Sequence, residues 1–351
     1  MTLPKMIAIF SILLFGLIGV SALFKNNSTE TIVQAPVETA LEIELDHQIQ
    51  TLAQISPTEE KISPLLNSYS ANETIEKHQE KPEVKTTSPY ANNYVELPQT
   101  NRINEFFNVD SPKFPIVETL TYTSTVTWLK GRPAWVTDYA NHYETSRHFI
   151  ARSLRGKPDY NNQQIAKGDR FNVLRKDKNI EFYLLVDASR CKLLFYYIDV
   201  DLKKKVLIKT YDVGLGRLDS SKTSGLLTPL GKYLLGNRVA VHTPKMMGNY
   251  QGKKTELVTV FGTRWIPFEK EIGICSAPAK GFGLHGTPWS KNSDGELCDR
   301  STGIGKYESD GCIRMSTADI EEIYAIIITK PTTVEIVKDF HDSSLADMAE
   351  N

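Results

Sequence analysis

From Ile180 onward the chain is written in short apolar runs separated by turn residues. Glu181–Asp187, Cys191–Asp199 and Lys205–Val213 come first, and Tyr233–Leu235 and Leu257–Phe261 follow. Aliphatic, β-branched and aromatic residues fill each run, and Ser189 and Arg190 mark a tight connection between the first two. Such patterning predicts strands, and so many short strands predict a mainly β body, as a sandwich or a closed sheet. One helix interrupts it. Ile320, Ile323, Tyr324 and Ile327 fall on one face at helical spacing, and Ser316 with Asp319 forms a capping box with Asp in place of Glu or Gln. Pro331 ends that helix, and Thr333–Val337 reads as a closing strand.

The 351 residues suggest two domains, or one with accessory segments. Residues Ile7–Phe24 form an apolar run with Lys5 before it and Lys25 after it. A run of about 20 apolar residues spans a bilayer, which predicts an N-terminal membrane anchor over residues 1–25. Val20-Ser21-Ala22 also fits a signal-peptide cleavage site, which makes secretion the alternative. Either way the body is expected outside the cytoplasm, in a periplasm or wall space. No cysteine lies near the end of the run, so lipid attachment there is excluded. Residues 26–115 are rich in Ser, Thr, Asn, Gln, Glu, Lys and Pro, and read as a disordered spacer with room for short helices around Glu38–Ile55.

Order is expected to begin near Ile116. Leu120–Thr123 and Val126–Leu129 are strand-like, helical periodicity follows from Pro133 through Leu154, and Ile165–Leu174 reads as a turn and strand. The plan over 116–176 is a small α/β segment of strand, helices and strand. Residues 339–351 are left as a tail.

Composition narrows the functions. The net charge of −1 supplies no field for nucleic acid. The four cysteines, Cys191, Cys275, Cys298 and Cys312, are too few for a disulfide scaffold, and none has zinc-ligand spacing, so no metal and no cofactor is expected. Cys191 reads as a core residue, while Cys275 and Cys298 are candidates for a pair.

Two segments offer chemistry. Phe282-Gly-Leu-His285-Gly-Thr287 sets a histidine between glycines, and Ser309-Asp-Gly-Cys312-Ile-Arg314-Met315 places a glycine before a cysteine, with the capped helix close behind. A cysteine near a helix start has its thiol pKa lowered by backbone N–H groups and the dipole, and a nearby imidazole can take its proton. His242 is a rival base, though a lid or surface histidine is the simpler reading there. Trp265 and Trp289 fit either a groove or the core. Arg217, Lys222 and Arg238 could meet acidic peptides, or be merely solvated.

"GLHGT" followed by "SDGCIRM" resembles the signature of the L,D-transpeptidase (YkuD-type) family. "LLVDASRCKLLFYYI", "YDVGLGR", "LTPLGKYLL", and "DIEEIYAII" with "TTVEIV" are similar to further family elements in the same order, over about Ile180 to Val337. Upstream, "IAKGDRFNVL" resembles part of LysM, a glycan-binding module; a plain α/β cap on the next domain is the other reading.

The family resemblance implies a YkuD-like catalytic domain over 180–338. It implies Cys312 as nucleophile, His285 as general base and the Gly286 carbonyl as the group that orients the imidazole. It implies an oxyanion hole from the N–H groups of Gly311, Cys312 and Ile313, and substrate contacts from Arg314, Ser309 and Thr287, with turn formation alone the equal reading for Ser309. The implied partners are peptidoglycan stem peptides, together with glycan strands if the LysM likeness holds and the membrane through the N-terminal run. The implied reaction is acyl transfer from a tetrapeptide stem to an amine. L,D-carboxypeptidase, protein-to-wall attachment and a non-catalytic wall-binding scaffold are the alternatives. Two departures stand out. Asp310 occupies a position where the family often has His, and is expected to point outward. The stretch from His285 to Ser309 is long, with residues 289–300 expected as a loop over the cleft.

Overall fold

The computed structural model describes residues 96–155 and 165–345. The predicted anchor, residues 26–95 of the predicted spacer, the expected helices around Glu38–Ile55 and the last residues of the tail lie outside the described residues. Among the described residues no helix is long and apolar enough to cross a membrane.

Order begins earlier than Ile116. Residues 97–115, assigned to the spacer by composition, hold the short helix α1 (Asn104–Phe107), and bury Leu97, Ile103, Phe106 and Phe114. The Phe106 ring meets Phe149 edge-on at 5.8 Å and Phe182 at 6.4 Å. Composition averages hide this because few residues there are apolar, yet four of them are buried in the core.

The small segment follows its predicted plan. β1 (Val117–Thr121), α2 (Val136–His142), α3 (Arg147–Arg155) and β2 (Arg170–Leu174) come in that order, and β1 pairs antiparallel with β2. Tyr122, Tyr139, Ile150 and Phe171 pack between sheet and helices. Val126–Leu129 forms only an isolated bridge and not a strand. Val117, Phe149 and Leu174 belong to the main hydrophobic core, so the segment shares that core with the β body.

The main body runs β3 (Ile180–Asp187), β4 (Lys192–Asp199), β5 (Lys204–Asp212), β6 (Leu215–Gly216), β7 (Gly231–Leu235) and β8 (Ala240–Val241). The hairpin β9 (Met247–Tyr250) and β10 (Lys253–Glu256) comes next, then α4 (Val258–Phe261), β11 (Arg264–Ile272) and β12 (Gly283–Gly286). A small hairpin of β13 (Ser290–Lys291) and β14 (Leu297–Cys298) precedes β15 (Tyr307–Ser309), β16 (Ile313–Met315), α5 (Thr317–Ile327) and β17 (Thr332–Val337). The expected strand at Leu257–Phe261 is instead α4. Its short apolar run carries no period that separates the two, and Gly262, at φ +60, terminates the helix.

A nine-stranded sheet has the order β16-β12-β11-β7-β17-β3-β4-β5, with β8 beside β11. It is neither two stacked sheets nor a fully paired barrel. The sheet curls, and beyond β5 the chain reaches its far edge, where Gly214 and Arg314 exchange two backbone hydrogen bonds of 2.8 Å. α5 links β16 to β17, which runs parallel to β3. Ile320, Ile323, Ile326 and Ile327 are buried, each contributing about 1.5–3 kcal/mol by removal from water. The Ser316 hydroxyl accepts from the Asp319 N–H at 3.2 Å and donates to its carboxylate at 2.6 Å, the cap expected from sequence. The start of the predicted tail is docked, with Asp339 on Arg190 at 3.0 Å and Leu345 buried.

Candidate active site

The turn that carries Cys312 is held from within. Ser309, buried at the end of β15, donates its hydroxyl to the Cys312 carbonyl at 2.7 Å and accepts the Gly311 N–H at 3.1 Å. Gly311 has φ +123, and a Cβ there would lie 2.5 Å from a Phe282 ring carbon and 2.9 Å from the Leu227 carbonyl oxygen. Only glycine fits. Asp310 points outward, as expected, and pairs with Arg217 at 2.6 Å, both side chains being mostly exposed.

Cys312 leads into β16, not into a helix, because Ile313–Met315 separates it from α5. The dipole argument therefore does not apply to this thiol. It is open to solvent on one side while its sulfur lies among closely packed atoms, 3.8 Å from the Gly281 carbonyl oxygen. Burial pushes the thiol up to about 12; a Gly283 backbone hydrogen bond and the Arg314 charge oppose the shift, and Asp310 adds to it.

His285 lies in β12, between β11 and β16, with 4 % of its surface exposed. Its Nδ1 is 2.7 Å from the Gly286 carbonyl oxygen. A carbonyl only accepts, so Nδ1 carries the proton and Nε2 is left as an acceptor. Burial pushes the imidazole down to about 4; the Gly286 and Phe261 carbonyls pull it up, and Arg314 and His242 push it further down. Burial thus favours the uncharged form of both groups, against the lowered thiol pKa expected of a cysteine at a helix start.

The register brings the two residues together. β12 and β16 are parallel, with His285 level with Arg314 and Leu284 level with Ile313. Cys312 immediately precedes β16. Paired residues of a parallel ladder share a face, so His285 and Arg314 do, and Cys312 packs on the Phe261–Trp265 cluster whose rings border His285 at 5.6 and 5.9 Å. Trp265 on β11 is level with His285 and extends the same row. Phe261 meets His285 edge-on at 5.6 Å, and Leu257, Phe261 and Trp265 form the small apolar cluster against which Cys312 packs. Tyr250 joins that cluster from the β9–β10 hairpin, edge-on to Phe261 at 5.5 Å.

Other expected residues are placed differently. The Gly311 N–H is engaged by Ser309. Arg314 turns its N–H and carbonyl to Gly214, so by alternation Ile313 directs its N–H into the β12 ladder. Of the three expected oxyanion donors, Cys312 N–H is the one these bonds leave. Thr287 has no exposed surface and donates its hydroxyl to Asp299 at 2.6 Å; it supports the site and does not face a substrate. Ser309 likewise closes a turn. The Arg314 Nε is buried without a hydrogen-bond partner. His242, 2 % exposed, is no lid or surface residue but is packed beside Phe261, and burial pushes its imidazole down. All four cysteines are free, so Cys275 and Cys298 do not pair; Cys275 donates to the Lys232 carbonyl and Cys191 is buried. Residues 289–300 make a hairpin anchored on the first turn of α5. Among the described residues no cluster of His, Cys, Asp or Glu is arranged to hold a metal.

Residues 181–336 match the family model of the L,D-transpeptidase catalytic domain, YkuD. This segment is a YkuD-type domain. A Bacillus licheniformis protein named for the L,D-transpeptidase YkuD is 24 % identical over 190 residues, covering 54 % of this chain and 85 % of that one. Among solved structures, Bd1075 of Bdellovibrio bacteriovorus is 17 % identical with a TM-score of 0.32, over 45 % of this chain and 48 % of that chain. The helical cell shape determining protein Pgp2 of Campylobacter jejuni is 18 % identical with a TM-score of 0.29, over 46 % of this chain and 52 % of its own. The match thus spans about half the length of these two structures. Phe261, Tyr250 and Asp299 were not singled out from sequence; the glycine closing the Leu257–Phe261 run was the available hint for the first.

Proposed function

We propose that the chain is a cysteine-dependent L,D-transpeptidase acting on peptidoglycan tetrapeptide stems. The observation that carries this reading is that Cys312 packs on the same Phe261–Trp265 cluster that borders the His285 ring, within a YkuD-type domain. His285 Nε2 takes the Sγ proton as sulfur attacks the carbonyl of the third residue of the donor stem. Sulfur is activated as it reacts, since the thiol rests protonated. Cys312 N–H supports the oxyanion. The bond to the terminal D-alanine breaks, and His285 returns the proton to the departing amine. An amine of a second stem then attacks the thioester and gives a proton to His285, which passes it to sulfur as the C–S bond breaks. The product links the third residues of two stems.

Arg314, whose Nε lacks a partner, binds a stem carboxylate. The steps use no cofactor. The apolar run Ile7–Phe24 holds the protein in the cell envelope, with the domain on the outer side of the cytoplasmic membrane. The strand–helix–helix–strand cap over 116–176 supports the LysM-like reading and contacts glycan strands.

Intact-mass measurement after exposure to a carbapenem tests the chemistry. The wild-type chain gains one covalent adduct and Cys312→Ala gains none; an unmodified wild type favours a wall-binding scaffold. Incubation with a tetrapeptide stem tests the acceptor. Dimer supports cross-linking, and tripeptide alone indicates that water is the acceptor.

A further inference from the structure

The long segment after His285 is tied to the site at both ends. We propose that Asp299 is a positioning residue for His285, acting through Thr287 and the Gly286 carbonyl. This rests on the reading of His285 as the general base. Asp299 accepts the Thr287 hydroxyl at 2.6 Å on one oxygen and the Thr317 N–H, at the start of α5, at 3.1 Å on the other. It also accepts the Ser301 N–H at 2.7 Å. Burial pushes the carboxyl up, and these donors outweigh it, holding the group below the usual carboxylate range. A carboxylate suits the place because it accepts from several donors at once; an amide has a single acceptor oxygen.

Thr287 is the relay. Its N–H donates to the Met315 carbonyl at 2.8 Å while its hydroxyl is held by Asp299, so the residue is fixed from both sides. Its nitrogen is bonded to the carbonyl carbon of Gly286, the group that receives the imidazole Nδ1–H. Fixing Thr287 therefore fixes the direction of that carbonyl. On the other side Gly262 presses so close that a Cβ there would lie 2.6 Å from the Gly286 carbonyl carbon. Trp289 adds a second strap. Its backbone N–H donates to the Val258 carbonyl at 3.1 Å and its indole N–H to the Thr317 hydroxyl at 3.1 Å. The first turn of α5 thus anchors both the acceptor of the imidazole and α4, whose Phe261 walls the ring. Arg314 and His242 act on the imidazole by charge, and the Cys312 thiol packs on the cluster that borders it, so the aim of one carbonyl decides how the neutral ring is oriented among them.

The test is ¹⁵N NMR of the histidine side chains, with the His285 signals assigned by their loss in His285→Ala, alongside the rate of Cys312 acylation by a carbapenem. Wild type should show a single tautomer with the proton on Nδ1. Asp299→Ala, Thr287→Val and the double variant should each show mixed tautomers and acylation slower by about 10- to 100-fold, with little change in KM for a stem peptide. The double variant should lose no more than either single one, and Thr287→Ser, which keeps the hydroxyl, should restore the wild-type signals. Should Asp299→Ala fail to fold, Asp299→Asn and Thr287→Val carry the same comparison. A folded Asp299→Ala or Thr287→Val with the wild-type tautomer and rate overturns the proposal. A shifted tautomer in Asp299→Ala, together with full acylation in His285→Ala, supports the positioning and overturns the general-base reading instead.

Discussion

The Ser309 hydroxyl bridges its own turn, donating to the Cys312 carbonyl at 2.7 Å while it accepts the Gly311 N–H at 3.1 Å. A serine in this place reads equally well as a substrate contact, and the geometry makes it the clasp of the turn that aims the thiol. Ser309→Ala leaves a buried N–H and a carbonyl without their partner, which costs about 1–3 kcal/mol. The expected outcome is a lower melting temperature and slower acylation of Cys312, with the thiol still titratable by Ellman's reagent in the unfolded protein. A thermal scan and the carbapenem mass assay check both.

Gly311→Ala should be worse. The backbone angle already disfavours a side chain, at about 1–3 kcal/mol, and the added methyl meets both the Phe282 ring and the Leu227 carbonyl. We expect little soluble protein at 37 °C, and in what folds, loss of acylation. Circular dichroism with the mass assay measures both.

The resting protonation of the pair sets a pH signature. With the thiol raised to about 12 and the imidazole lowered to about 4, neither group changes charge between those values. Iodoacetamide should alkylate Cys312 slowly at neutral pH, with no reactive plateau reaching into acid, and faster only toward alkaline pH. A thiolate–imidazolium pair would show that plateau.

Stability follows from the same imidazole. Its folded pKa lies below its unfolded value, so between pH 6.5 and about 4 the unfolded chain binds the extra proton. Stability is full above that window, falls as pH drops through it, and His148, lowered to about 3 chiefly by burial, extends the fall. Denaturant midpoints measured from pH 7 to pH 4 should decline, and less steeply in a folded His285→Gln variant.

The cap over 116–176 should not be removable. Ser146 donates to the Ala325 carbonyl of α5 at 2.5 Å, and Phe149 lies in the core shared with β3. Deleting residues 116–176 is expected to leave the remaining chain insoluble or molten. A Ser146→Ala change alone should lower the melting temperature without changing KM for a stem peptide.

Much of this was legible in the chain itself. The β runs, the helix cap at Ser316 and the glycine-flanked His285 and Cys312 announced themselves because each depends on local pattern. The misplaced residues depend on partners distant in sequence. Phe261 needed a helix where four apolar residues and a threonine had no decisive period. Thr287 looked available for substrate because nothing local shows that Asp299 already holds it. The helix expected to lower the Cys312 thiol stands three strand residues away, and burial raises the thiol instead. Phe106 and Phe114 were hidden in a segment whose average polarity argued against order.

The seam at Gly214 and Arg314 has a consequence for timing. Residues a hundred positions apart must meet before the sheet can curl shut, and contacts of such span tend to form late and let go early. The arginine on one side of that seam is the one whose charge faces the imidazole. Catalytic competence should therefore be the last property the nascent chain acquires and the first a warmed one loses, so that a half-made copy carries an idle thiol.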